Sequence, residues 1–121
     1  MASAINWFEI PVSDMDRAVK FYSDIFGISM DVFEMTPGFP MAMFPAEDGT
    51  GGALIKGEGY VPSMEGTLVY LNGGDDLTAV ISCVEAANGS VIMPKMSIGE
   101  NGFIAMFADT EGNRIGLHSP S

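Results

Sequence analysis

With 121 residues, 47% of them hydrophobic, the chain is sized for one domain with a core of its own and needs neither a disulfide nor a metal to fold. Sixteen acids against five bases give a net charge of −11, a surface that repels phosphate backbones and anionic bilayers and so excludes nucleic acid and membranes as expected partners. No run approaches the ~20 apolar residues of a membrane span. The opening M-A-S-A-I-N lacks the basic region and apolar run of a signal peptide, and the one cysteine, Cys83, makes no internal disulfide, so a cytoplasmic location is expected.

Residues 5–12, I-N-W-F-E-I-P-V, read as a strand. Ser13 or Asp14 caps the helix that follows. Met15, Ala18, Val19, Tyr22, Ile25 and Phe26 recur at helical spacing, and Gly27 ends the run. Strands are expected at about 28–35 and 40–45, with Pro37, Gly38 and Pro40 marking the bend, and a short run spans Gly52 to Lys56. Residues 57–65 read as a linker. The order then restarts: a strand from Thr67 to Asn72, and a helix begun by Asp75 or Asp76 that buries Leu77, Val80, Ile81 and Val84 and ends at Gly89. Strands near 90–93, 103–108 and 114–118 complete the chain.

The restart has a counterpart in spelling. A-M-F-P-A-E-D-G-T at 42–50 and A-M-F-A-D-T-E-G-N at 105–113 pair Ala42 with Ala105, Met43 with Met106, Phe44 with Phe107 and Gly49 with Gly112 at an offset of 63, and Leu54 stays in step with Leu117. Each half reads strand, helix, three strands. The fold class is therefore α+β: one domain over 1–121 built of two βαβββ modules, at about 4–57 and 65–118, whose four-stranded sheets form a cupped surface with a groove between them.

The opening W-F-E-I-P-V-S-D-M-D-R-A-V-K-F-Y-S-D-I-F-G and the closing F-A-D-T-E-G-N-R-I-G-L-H-S-P together resemble the vicinal oxygen chelate superfamily, which holds glyoxalase I, extradiol dioxygenases, fosfomycin-resistance enzymes and bleomycin-resistance proteins. The resemblance implies a glyoxalase-like fold and a homodimer. It also implies divalent-metal ligands on the first strand, its repeat equivalent and the last strand, positions that fall here on Trp7, Thr67 and Gly116. An indole N–H only donates, glycine has no side chain, and one threonine hydroxyl is a poor anchor, so neither a bound metal nor any other cofactor is expected. Glu9 and His118 lie two residues from those positions on the same strand faces and form the alternative, a nonstandard metal site or an acid–base pair.

The leading expectation is a metal-independent small-molecule binding protein of the bleomycin-resistance type, taking an apolar or cationic ligand in the groove. The alternative is a lyase, isomerase or oxygenase. Trp7 either fills the groove or stacks on the ligand. Glu9 either accepts a hydrogen bond from the ligand or pairs with Arg114. Thr67, Met106, Gly116 and His118, the sole histidine, complete the expected lining. Cys83 reads as partly buried and inert, and most of the ten methionines as apolar filler.

Overall fold

The computed structural model describes residues 4–121. In chain order the elements are β1 (Trp7–Pro11), α1 (Met15–Phe26), β2 (Val32–Thr36), β3 (Phe39–Met43), β4 (Gly51–Ile55), β5 (Tyr70–Asn72), α2 (Thr78–Ile81), β6 (Ser90–Ser97), β7 (Phe103–Ala108) and β8 (Arg114–Ser119), with a 3₁₀ turn at Gly99–Asn101. They form two four-stranded sheets of identical topology, β1-β4-β3-β2 and β5-β8-β7-β6. In each, the first and last strands of the module run parallel and the remaining pairs antiparallel.

The spelling repeat is a repeat of register. Ala42 faces Leu54 across β3 and β4, and Ala105 faces Leu117 across β7 and β8. All four are fully buried. The small residue admits the leucine, and the helices cover both. One core runs through both modules, from Ile10, Phe21, Tyr22 and Leu54 to Leu71, Leu77, Phe107 and Leu117. Phe21 and Tyr22 of α1 pack on Phe107 of the second sheet, with ring centroids 5.7 and 6.4 Å apart.

Helix α1 forms as the sequence dictates. Asp14 accepts a hydrogen bond from Arg17 N at 3.1 Å, and Gly27 closes the helix in the left-handed region at φ 64°. The second helix differs from expectation. Leu77, Val80 and Val84 are buried as expected and Ile81 only partly, but regular α-helix covers only Thr78–Ile81. Thr78, Val80 and Ile81 are β-branched and Ser82 is a weak helix former. Beyond them the bonds shorten to i→i−3, as in Cys83 N to Val80 O and Val84 N to Ile81 O. Asn88, at φ 76°, makes the left-handed turn assigned to Gly89. Gly89 is needed for closeness instead: a Cβ there would lie 2.6 Å from Phe21 Cε1 and 2.8 Å from Ala108 O.

Two strands also depart from the sequence reading. β6 extends through Pro94 to Ser97, because it is an edge strand and its register shifts spare the missing N–H. The strand expected from Thr67 begins only at Tyr70.

Candidate functional site

β1 alternates as a half-covered strand should. Ile10 is buried and Phe8 partly so, while Trp7 and Glu9 face outward. Trp7 is 43% exposed. Its ring lies over Gly51, its partner in register, whose Cβ position is 3.5 Å from Trp7 Cζ3. With Asp31, Phe33 and Met43 it lines an open depression of about 610 Å³. Glu9 lies farther along the same face, beside Tyr60. Its negative charge, ahead of burial and hydrogen bonding to the carboxylate, raises the Tyr60 phenol above its ordinary value. The three ion pairs among the described residues join Arg17 to Glu111, Lys20 to Asp24 and Lys95 to Asp76, so the Glu9–Arg114 pair, one of the two alternatives for Glu9, does not form.

The second sheet presents the matching face. Met106 and Tyr70 flank Gly116 in register, and Ile104 and Asn72 flank His118. The Tyr70 ring covers Gly116, where a Cβ would sit 2.5 Å from Tyr70 Cδ1. His118 is exposed, and its Nε2 donates to Asn101 O at 2.6 Å. Register also corrects the internal alignment. Ile10 faces Leu54 and Leu71 faces Leu117, so Leu71 is the counterpart of Ile10, Tyr70 that of Glu9, and Leu68, not Thr67, that of Trp7. Thr67 precedes the strand and is exposed. The reading that aligned Thr67 with Trp7 is one residue out of step, enough to exchange the two faces of a strand.

The donor set fits no divalent metal. Trp7, its repeat equivalent Leu68, and Gly116 offer an indole, an aliphatic chain and no side chain. Among the described residues no three of His, Cys, Asp and Glu gather closely enough to hold a metal ion.

The modules do leave a groove, but its walls are not the expected ones. A cavity of about 470 Å³ opens at the seam between the N-terminal end of β1 and the approach to β5. Phe8, Phe26, Phe44, Thr67, Tyr70 and Leu71 are among its lining residues. Of the residues singled out in the sequence, only Thr67 lines it. Trp7 borders it from the neighbouring depression, which shares Phe44, Pro45, Ala46 and Gly51 with it. Met106, Gly116 and His118 lie elsewhere, and Glu9 meets Thr67 only in a smaller cleft of about 220 Å³ between the modules. Phe8 reaches the wall because Gly52 has no side chain: a Cβ there would stand 2.3 Å from Phe8 Cε2. The Phe8 ring then packs 5.6 Å from that of Phe44. The signal available in the sequence was the G-T-G-G run at 49–52, which reads as a plain turn.

The closing D-T-E-G-N motif, Asp109 to Asn113, fastens the two modules together. Asp109 is 5% exposed and accepts from Tyr22 Oη of α1 at 2.7 Å. Burial, then the Asp109 charge and hydrogen bond, hold the Tyr22 phenol well above its ordinary value. Asp109 also accepts from Glu111 N, Asn113 N and Asn113 Nδ2. Asn113 Nδ2 donates to Pro11 O of β1, and its Oδ1 accepts from Ser63 N of the linker. Glu111, with a fully covered side chain, accepts from Ser13 N, Asp14 N and Arg17 at the head of α1. Burial pushes its pKa up, but Arg17 and the two backbone N–H groups outweigh that and hold it below the ordinary carboxylate value.

A family model described as the Glyoxalase/Bleomycin resistance protein/Dioxygenase superfamily matches residues 4–117. The chain belongs to this superfamily. It is 35% identical over 117 residues to a glyoxylase-like domain-containing protein of Didymella fabae, covering 90% of this chain and 88% of that one. Two mycobacterial relatives, 29% identical, are longer, and the chain spans 44% of each. Among solved structures it is 30% identical to TnmS3, an antibiotic binding protein from Streptomyces sp. CB03234, at a TM-score of 0.63 over 98% of this chain and 97% of that one. A superfamily enzyme from Burkholderia phytofirmans PsJN shares the fold at a TM-score of 0.70 and 17% identity, covering 96% and 98%. The glyoxalase-like α+β fold expected from the βαβββ repeat is thus the fold found. Within the superfamily the D-x-x-G-N signature serves this chain as the fastening between modules.

Proposed function

We infer that this superfamily member is a metal-independent small-molecule binding protein that takes an apolar or cationic compound into the groove between its modules. The observation that carries the reading is the seam cavity. About 470 Å³ accommodates a ligand of drug size. Its aromatic and aliphatic walls favour a flat apolar body, since each Å² of such surface removed from water contributes about 25 cal/mol. Thr67 supplies a hydroxyl at the rim, and Trp7 a half-exposed ring just beyond Gly51, where one end of a longer ligand stacks. The likeness to TnmS3, an antibiotic binding protein, supports binding as the activity. Glu9 and His118 are engaged separately, by Tyr60 and Asn101 O, which favours binding over paired acid–base chemistry. The same reading takes the protein as a cytoplasmic homodimer, with Val32 and Met35 on edge strand β2 and Ile92 and Met96 on edge strand β6 as the apolar surfaces a second copy would cover.

Titration with the neutral fluorophore N-phenyl-1-naphthylamine tests the reading. Saturable binding of one probe per chain is expected. Ala46→Trp, which fills a wall shared by the two depressions, should weaken it by about tenfold or more, because filled volume excludes the ligand. Trp7→Ala should weaken it about three- to tenfold, the worth of one stacked ring. Binding left intact by Ala46→Trp would remove the seam from consideration.

A further inference from the structure

On the outward face of the first sheet a second depression of about 300 Å³ is lined by Glu9, Thr36, Phe39, Met41, Ile55 and Tyr60, and Glu9 alone of these also borders a smaller cleft that reaches Thr67 and Val69 of the second module. It shares no lining residue with the seam cavity. Its floor comes from β3 and β4, where Met41 faces Ile55 in register, and Glu9 stands beside them on the next position of β1. Its aromatic wall is fixed. Phe39 and Tyr60 meet edge to face, with centroids 6.1 Å apart and planes at 74°. The Phe39 ring sits where Gly57 has no side chain, 2.0 Å from the position a Cβ would take. Any other residue at 57 would displace the ring.

The carboxylate at this wall has no cationic partner. Of the five basic residues, Arg17, Lys20 and Lys95 are paired with other acids, and no ion pair among the described residues reaches Glu9. An uncompensated carboxylate, two aromatic rings at a fixed angle and a thioether make a chemically specific set. Ring faces and the methionine sulfur attract a diffuse positive charge clothed in alkyl groups, and the carboxylate supplies the counter-charge. A compact, strongly hydrated inorganic cation gains little from the rings. The net charge of −11 draws cations toward the surface and raises their encounter rate.

We propose that Glu9, Phe39, Met41 and Tyr60 form a subsite for an alkylated organic ammonium group, distinct from the seam cavity. The subsite stands on its own residues. The proposed seam binding can fail while this holds, and the reverse.

Choline and its neutral isostere 3,3-dimethylbutan-1-ol, which differ in charge and hardly in shape, test it by NMR titration of the intact ¹⁵N-labelled chain at fixed ionic strength. The expected result is saturable shift changes centred on Glu9, Phe39 and Tyr60 with choline, and at least tenfold weaker binding of the alcohol. Glu9→Gln, an isosteric change at an exposed position, should weaken choline at least fivefold, with the amide shifts of α1 showing the fold unchanged. Phe39→Leu, which removes a ring without adding or removing charge, should weaken it as well. Equal affinity for choline and the alcohol overturns the proposal. So do shift changes confined to other parts of the surface, or choline binding unaltered by Glu9→Gln. Retention of N-phenyl-1-naphthylamine binding by Glu9→Gln is expected, and its loss would show that the two sites are one.

Discussion

Asp109→Ala is expected to destabilise the protein by about 3–5 kcal/mol in denaturant unfolding. The deletion leaves the Tyr22 hydroxyl, which is fully buried, and the Asn113 donors, at a residue 5% exposed, without their acceptor. Each buried polar group stranded in this way costs about 1–3 kcal/mol. Domains of this size are stable by only about 5–15 kcal/mol, so the variant loses a large share of its stability. Tyr22→Phe removes one of the four bonds and leaves Asp109 three donors, so it should cost only about 1–2 kcal/mol. In the double variant the two losses should fall well short of their sum, because both act on one network. A loss below about 1 kcal/mol for Asp109→Ala would mean that the motif does not fasten the modules.

Gly52→Ala should cost about 1–3 kcal/mol and weaken seam binding about tenfold, although it adds a single methyl group. That methyl falls 2.3–2.5 Å from Phe8 Cε2, Cδ2 and Cγ. Cγ is the base of the ring, so no rotation about χ2 clears it and the whole side chain must leave its place against Phe44. Gly52 itself is buried on β4, an inner strand flanked on both sides, and the backbone has little room to retreat. Phe8→Leu placed beside Gly52→Ala should recover part of the stability, because the smaller side chain relieves the contact, but not the binding. Unfolding curves and probe titration of the three variants check this. Unchanged probe affinity in Gly52→Ala would take Phe8 out of the wall.

The course of the fold was largely legible in the sequence because it rests on periodicity and repetition. The α1 stripe, its Asp14 cap and its Gly27 stop are local signals. The 63-residue offset maps onto identical registers because Ala42–Leu54 and Ala105–Leu117 solve the same packing problem twice. What stayed hidden depends on contacts between modules. Asp109, Glu111 and Asn113 fall between the strands expected at 103–108 and 114–118, yet they bond to Tyr22, Arg17 and Pro11, 87, 94 and 102 positions away. The candidate site was legible only in part for the same reason. Alternation placed Trp7 and Glu9 on the strand face opposite Phe8 and Ile10, where they are, and took that face for the groove. No local pattern shows that Phe8 reaches the seam through the space left by Gly52, or that Tyr60 and Phe39 come to stand beside Glu9. The short β5 misled most directly: starting the strand at Thr67 shifted the repeat by one residue and hid Tyr70.

The central claim is that the seam between the modules holds an apolar ligand, and locating one there tests it most directly. Crystals of the protein soaked in 1-bromonaphthalene should show an anomalous bromine peak in the cavity bounded by Phe8, Phe44, Thr67 and Tyr70, with the naphthalene plane packed on at least one of those rings. The same peak should be absent from Ala46→Trp crystals. Bromine density found only on the outward faces around Met43 or Met96, with the seam closed or filled by ordered water, would contradict it.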